Sequence, residues 1–181
     1  MKSREQIATY TNQYMKPLAP KEGDIHIEDI AHALSLMTRA NGHFHTFYSV
    51  GQHCLNCQKE AAAREFPSRL QLALLLHDAS EAYISDLTRP VKIGFPQYRQ
   101  AEDVLQAVIY RRFGLWPIGE EELNAIDAVD TAMLYYEFEH LHPGGSLGVP
   151  YQVTESWDLS FRIMTEVELE YKEIFLQLFG K

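Results

Sequence analysis

Residues 70–78 read Leu-Gln-Leu-Ala-Leu-Leu-Leu-His-Asp, a run that is apolar on nearly every side and ends in an imidazole and a carboxylate. A helix apolar all round has no face to show to water, so it belongs at the centre of a bundle. The pattern predicts a helix from Ser68 to Asp78 and requires other helices to surround it.

Those partners can be read from apolar spacing. Ile30, Ala33, Leu34 and Met37 share one face of a helix expected over Asp29 to Arg39. Ser49 and Gln52 stand at capping-box spacing, which makes Ser49 the N-cap of a helix running to about Arg64. Pro90, Gly94 and Pro96 mark the stretch from Asp86 to Pro96 as a loop. Further helices are expected over Gln97 to Phe113, stopped by Gly114, and over Glu120 to Leu141. A polar, irregular stretch follows to about Trp157, and a last helix covers about residues 158–179. No segment shows strand alternation. The expected fold is an all-α, single-domain helical bundle over residues 1–181, a length that can bury a core unaided.

Composition narrows the function. No stretch approaches the roughly 20 apolar residues of a membrane helix, and residues 1–16 lack an apolar leader. The expectation is a cytoplasmic protein without a membrane partner. A net charge of −9 argues against a nucleic-acid polymer. A small anion remains acceptable, because a metal and a few cations can reverse the sign locally. Cys54 and Cys57 form a lone C-x-x-C, with neither a second pair for a four-ligand zinc site nor a βαβ setting for redox chemistry. Both are read as ordinary helix residues.

His77-Asp78 carries the chemistry. A lone His on such a helix is usually a satisfied core residue, but an ionised carboxylate buried beside it needs a partner. A metal ion supplies one. His53 on the preceding helix and Asp130 far downstream complete a set of two imidazoles and two carboxylates. Such a set suits one divalent transition ion: Mn, Co, Fe, Ni or Zn. Asp127 lies one turn before Asp130 on the same face, so spacing alone leaves it as a rival.

The order H…HD…D over separate helices resembles the HD-domain metal-dependent phosphohydrolases, and most closely the bacterial 5′-deoxynucleotidases called YfbR-like. Three blocks between Arg39 and Glu137, inside a motif-bearing part of about residues 26–141, carry the resemblance. Arg39, Gly42, His43, Tyr48, Ser49, Val50 and His53 are similar to R-x-x-G-H…Y-S-V-x-x-H. His77, Asp78, Glu81, Asp86, Leu87, Pro90, Val91 and Lys92 are similar to H-D-x-x-E…D-L-x-x-P-V-K, the most specific block. Asp130, Leu134 and Glu137 are similar to D-x-x-x-L-x-x-E.

The resemblance implies a helical bundle of the HD-domain type. It assigns His53, His77, Asp78 and Asp130 to the metal, with Asp130 chosen over Asp127 by register. Glu81 and Asp86 match the acidic catalytic positions, where a carboxyl orients water or gives the leaving 5′-oxygen its proton. Arg39, His43, Thr88 and Lys92 fall where contacts to the nucleotide are expected. The implied activity is a 5′-nucleotidase acting on nucleoside or deoxynucleoside monophosphates through metal-activated water. A triphosphate or signalling-nucleotide hydrolase and a non-catalytic nucleotide-sensing module are the alternatives. A small-molecule nucleotide is the expected partner, with a homodimer as a further candidate.

Overall fold

The computed structural model describes residues 4–180; residues 1–3, part of the stretch read as lacking a leader, lie outside it. Among the described residues the chain is mostly helical, with eight α-helices. They are α1 (Ile27–Leu36), α2 (Val50–Ala63), α3 (Ser68–Leu75), α4 (Glu81–Ile84), α5 (Arg89–Gly94), α6 (Pro96–Arg112), α7 (Glu120–Leu141) and α8 (Met164–Leu178). None is long and apolar enough to cross a membrane.

Local chemistry sets several boundaries as expected. The Ser49 hydroxyl accepts from the Gln52 N–H at 3.0 Å and starts α2. Glu122 takes the Gly119 N–H at 2.9 Å, and Glu120 to Glu122 place negative charge at the positive end of α7. Gly114, at φ +71°, ends the segment of α6 as the sequence indicated.

Four expectations need correction. Strands were not anticipated, yet β1 (Ile7–Ala8) and β2 (Tyr14–Met15) pair antiparallel. Two residues per strand are too few to show alternation. The helix expected to reach Asp78 stops at Leu75, because the His77 ring takes the Leu74 carbonyl and the chain turns tightly through Ala79 N–H to Leu76 O. The stretch expected as a loop between Asp86 and Pro96 contains α5. There Pro90 sits in the first turn, where its fixed φ starts a helix rather than breaking one. The last helix begins at Met164, not near residue 158. The Asp158 and Ser160 carbonyls accept from the Gln52 and Asn56 side chains of α2, which holds this backbone extended.

The core lies along α2 and α3, flanked by α1, α7 and α8. Leu72, Ala73, Leu74, Leu75 and Leu76 are all buried, as an all-round apolar helix requires. Gly51 permits the close crossing of α1 and α2: a Cβ there would lie 3.1 Å from the Leu34 carbonyl carbon and the Ser35 nitrogen. Two residues beyond this crossing, His53 meets His77 in the turn that follows α3.

Candidate metal centre

Four side chains from three places in the fold converge. His53 comes from the first turn of α2, His77 and Asp78 from the turn after α3, and Asp130 from the middle of α7. His53 Nε2 lies 3.3 Å from His77 Nε2, 3.1 Å from Asp130 Oδ1 and 3.7 Å from Asp78 Oδ2. His77 Nε2 lies 3.4 Å from Asp78 Oδ2 and 3.7 Å from Asp130 Oδ1. Asp127 is exposed on α7 and is not part of this cluster.

The outer edges of both imidazoles are anchored. His53 Nδ1 bonds Glu137 Oε1 at 2.6 Å, and His77 Nδ1 bonds the Leu74 carbonyl at 2.7 Å. Both partners only accept, so each Nδ1 carries a proton and each Nε2 is turned inward. Metal-binding histidines are commonly held this way.

Arg39 is buried against the same group. Its Nε donates to Glu137 Oε2 at 2.7 Å, while its terminal nitrogens stand 3.5 Å from Asp78 Oδ2 and 3.4 Å from Asp130 Oδ1. The sequence placed Arg39 on the nucleotide; the structure turns it inward onto three carboxylates. Burial works against its charge, but Glu137, Asp130 and Asp78 outweigh burial and hold the guanidinium protonated. Burial pushes the Asp130 carboxyl up, yet hydrogen bonds from His53 and His77 hold it well below its ordinary value. Burial likewise opposes charge on both imidazoles; the surrounding anionic groups overcome it and push them well above theirs.

These fields call for positive charge at the two Nε2 atoms. Protons on both would face each other at 3.3 Å. A single divalent ion meets the demand without that conflict. It also covers the negative charge that three carboxylates leave when paired with one guanidinium. The donors present therefore could hold a metal ion.

A second cluster adjoins the first. Lys92, on α5 rather than in a loop, reaches Glu81 Oε1 at 3.0 Å, Glu102 Oε1 at 2.6 Å and Asp86 Oδ1 at 4.0 Å. Lys92 is expected at the nucleotide; the structure surrounds it with carboxylates. Burial first, then Asp78 and Asp86, push the Glu81 carboxyl well above its ordinary value against the pull of Lys92. Glu81 Oε2 is buried without a hydrogen-bond partner. The helix does not run from His77 to Glu81; α4 starts at Glu81 after the turn, with Glu81 N–H bonded to Asp78 O.

The remaining expected contacts are dispersed. His43 is exposed, and its backbone N–H bonds Ala40 O. Thr88 caps α5, its carbonyl accepting from Val91 and Lys92.

Sequence reasoning passed over four participants. Glu137 and Arg89 are two, the latter half exposed with Nη2 3.7 Å from Asp130 Oδ2. The spacing from Asp130 to Glu137, two helical turns on one face, was a usable signal for the first. The others are Cys54 and Cys57, which are buried in α2 as expected but also line the centre. The ligand atoms of His53, Cys57 and His77 lie within 4.8 Å of one another, as do those of Cys54, His77 and Asp78, so either group could hold a metal ion. A cleft of about 910 Å³ opens elsewhere, between α2, α7 and residues 149–154; its Glu60 and Arg64 are bonded to each other, and it includes no imidazole.

No protein-family model matches the chain. Two curated relatives are similar to it. "Uncharacterized protein YfdR" of Escherichia coli (strain K12) is 33% identical over 126 residues, covering 70% of this chain and 68% of that protein. "Uncharacterized protein RCAP_rcc00048" of Rhodobacter capsulatus is 39% identical over 131 residues, covering 68% of this chain and 66% of that one. The match thus spans about two thirds of each relative's length.

Proposed function

The chain belongs to one family with the Escherichia coli protein YfdR, and from that premise and the geometry we propose that it is a metal-dependent phosphohydrolase of the HD-domain type. Neither relative's name states an activity, so the reading rests on the site. The observation that carries it is the pair of inward-facing Nε2 atoms, 3.3 Å apart and each backed by a hydrogen-bonded Nδ1, with Asp78 and Asp130 beside them. His53, His77, Asp78 and Asp130 would hold one divalent ion. When bound, such an ion acidifies water and offsets charge on phosphoryl oxygens.

The chain's own groups supply the rest. Arg39 is anchored through Nε, which leaves its two terminal nitrogens, loosely placed at 3.4 and 3.5 Å, to re-aim at phosphoryl oxygens. Arg89 adds a solvent-facing cation at the rim near Asp130. A departing 5′-alkoxide needs a proton, and Glu81 is built to keep one: it is buried beside other carboxylates, and its Oε2 is uncommitted. Asp86, 4.0 Å from Lys92, is the second candidate acid.

The preferred substrate class is a nucleoside or deoxynucleoside 5′-monophosphate. The test is phosphate release from a panel of mono- and triphosphates and signalling nucleotides, after chelation and re-addition of Mn, Co, Fe, Ni or Zn. Metal-dependent release from monophosphates supports the reading. Release from triphosphates or signalling nucleotides moves the substrate class. Nucleotide binding without turnover would make the protein a sensing module.

A further inference from the structure

Lys92 stands on the short helix α5, and its flexible stem lets the ammonium turn unless acceptors fix it. Two do. Glu81 Oε1 accepts at 3.0 Å, and Glu102 Oε1, from α6, accepts at 2.6 Å. Tyr98 lies one helical turn before Glu102 on the same face of α6. Its ring is 5.8 Å from the ammonium, and its hydroxyl donates to the Ser85 carbonyl, which ties α6 to the segment after α4. Glu102 lies outside all three sequence blocks.

The Lys92 bond decides which oxygen of Glu81 can act. An ammonium only donates, so Oε1 is committed as an acceptor and a proton on the carboxyl rests on Oε2. Oε2 is also the oxygen buried without a hydrogen-bond partner. We propose that Glu102 is a positioning residue: through Lys92 it fixes the Glu81 carboxyl so that Oε2 is the oxygen presented to the leaving group. The proposal rests on the reading that Glu81 gives the departing oxygen its proton. Without Glu102 the ammonium keeps Glu81 and, at 4.0 Å, Asp86 as carboxylate neighbours. It can then swing between them, and Glu81 loses its fixed aim.

Kinetics on one monophosphate and metal content are measured for the wild type, Glu102→Ala, Glu102→Leu and Glu102→Gln, and for Glu102→Ala combined with Lys92→Ala. Circular dichroism checks folding. Glu102→Leu keeps the bulk without an acceptor. The Ala and Leu variants should keep metal and KM and lose roughly 10–100-fold in kcat, since a misplacement of about 1 Å can cost about 10²-fold. Glu102→Gln, whose amide oxygen still accepts, should recover most of the rate. In the double variant, Glu102→Ala should add nothing to the loss from Lys92→Ala, because the two act along one chain of contacts. Crystal structures should show Lys92 Nζ bonded to Glu81 Oε1 in the wild type and detached in Glu102→Ala. An unchanged kcat, an effect on KM alone, a full further loss in the double variant, or an ammonium that stays on Glu81 overturns the role of Glu102 and leaves the phosphohydrolase reading standing. A folded wild type that turns over no nucleotide with any of the metals overturns that reading and the role built on it.

Discussion

His53 Nδ1 donates to Glu137 Oε1 at 2.6 Å, and both side chains are fully buried. The carboxylate's other oxygen accepts from Arg39 Nε at 2.7 Å, so Glu137 ties the first turn of α2 to the segment that precedes it. The bond fixes the tautomer and the aim of His53.

Glu137→Gln keeps the volume but can no longer accept from both His53 and Arg39. Loss of such a supporting partner typically weakens metal binding about 10–100-fold. Competition with a chromophoric chelator should show a weakening of that order. Unchanged affinity would mean that the imidazole needs no fixing.

Asp130 and Asp127 can be separated in the same way. Asp130→Asn should lose both metal and phosphatase rate, because its carboxylate stands 3.1 Å from His53 Nε2. Asp127→Asn, altered at an exposed position, should keep most of both. The reverse outcome would shift the ligand back one turn.

The pairing of Lys92 with Glu81 changes what their variants should do. Glu81→Ala should retain the metal and lose roughly 10²-fold or more in kcat, the contribution of a proton-transfer group. Lys92→Ala removes the cation that holds Glu81, Glu102 and Asp86, so kcat should suffer rather than KM alone. Arg89→Ala, at the solvent-facing rim, should chiefly raise KM. Steady-state kinetics on one monophosphate distinguish the three. A near-normal kcat in Glu81→Ala would leave Asp86 as the acid to examine.

Much of this arrangement could be read from local chemistry. The Ser49 cap and the all-round apolar α3 each announce themselves within a few residues. What escaped was set by distant partners. Residues 158–163 are held extended by amides of Gln52 and Asn56 about a hundred positions earlier, which no local pattern records. The carboxylate partners of Arg39 and Lys92 lie 39–98 and 6–11 residues away, outside the elements that carry the two cations, so no local pattern announces them. Cys57 was legible as a helical neighbour of His53, but not as a neighbour of His77, since that depends on how α2 meets the turn after α3.

Glu60 gives a prediction for stability. Its buried carboxylate accepts from the Thr154 N–H and hydroxyl, Trp157 Nε1 and Arg64 Nε, pinning residues 154–157 to α2. Burial raises its pKa, but these hydrogen bonds prevail and bring it below the ordinary 4.5. A lowered folded-state pKa stabilises the fold fully above the unfolded value, and the stabilisation is lost as pH falls through the folded one. Glu60→Gln should therefore be about 2 kcal/mol less stable than the wild type near pH 7, the scale of a hydrogen bond to a charged group. The gap should close as pH drops below about 4.5. Urea unfolding across that range checks it, and a gap independent of pH would contradict the assignment.

If His53, His77, Asp78 and Asp130 hold a divalent ion, its position can be measured. Anomalous X-ray diffraction at the absorption edge of a supplied manganese or cobalt ion locates it directly. On that assignment, one strong peak per chain is expected, roughly 2.0–2.3 Å from both Nε2 atoms and from a carboxylate oxygen of Asp78 or Asp130. A folded, metal-soaked protein with no peak there, or with its peak at other residues, would contradict it.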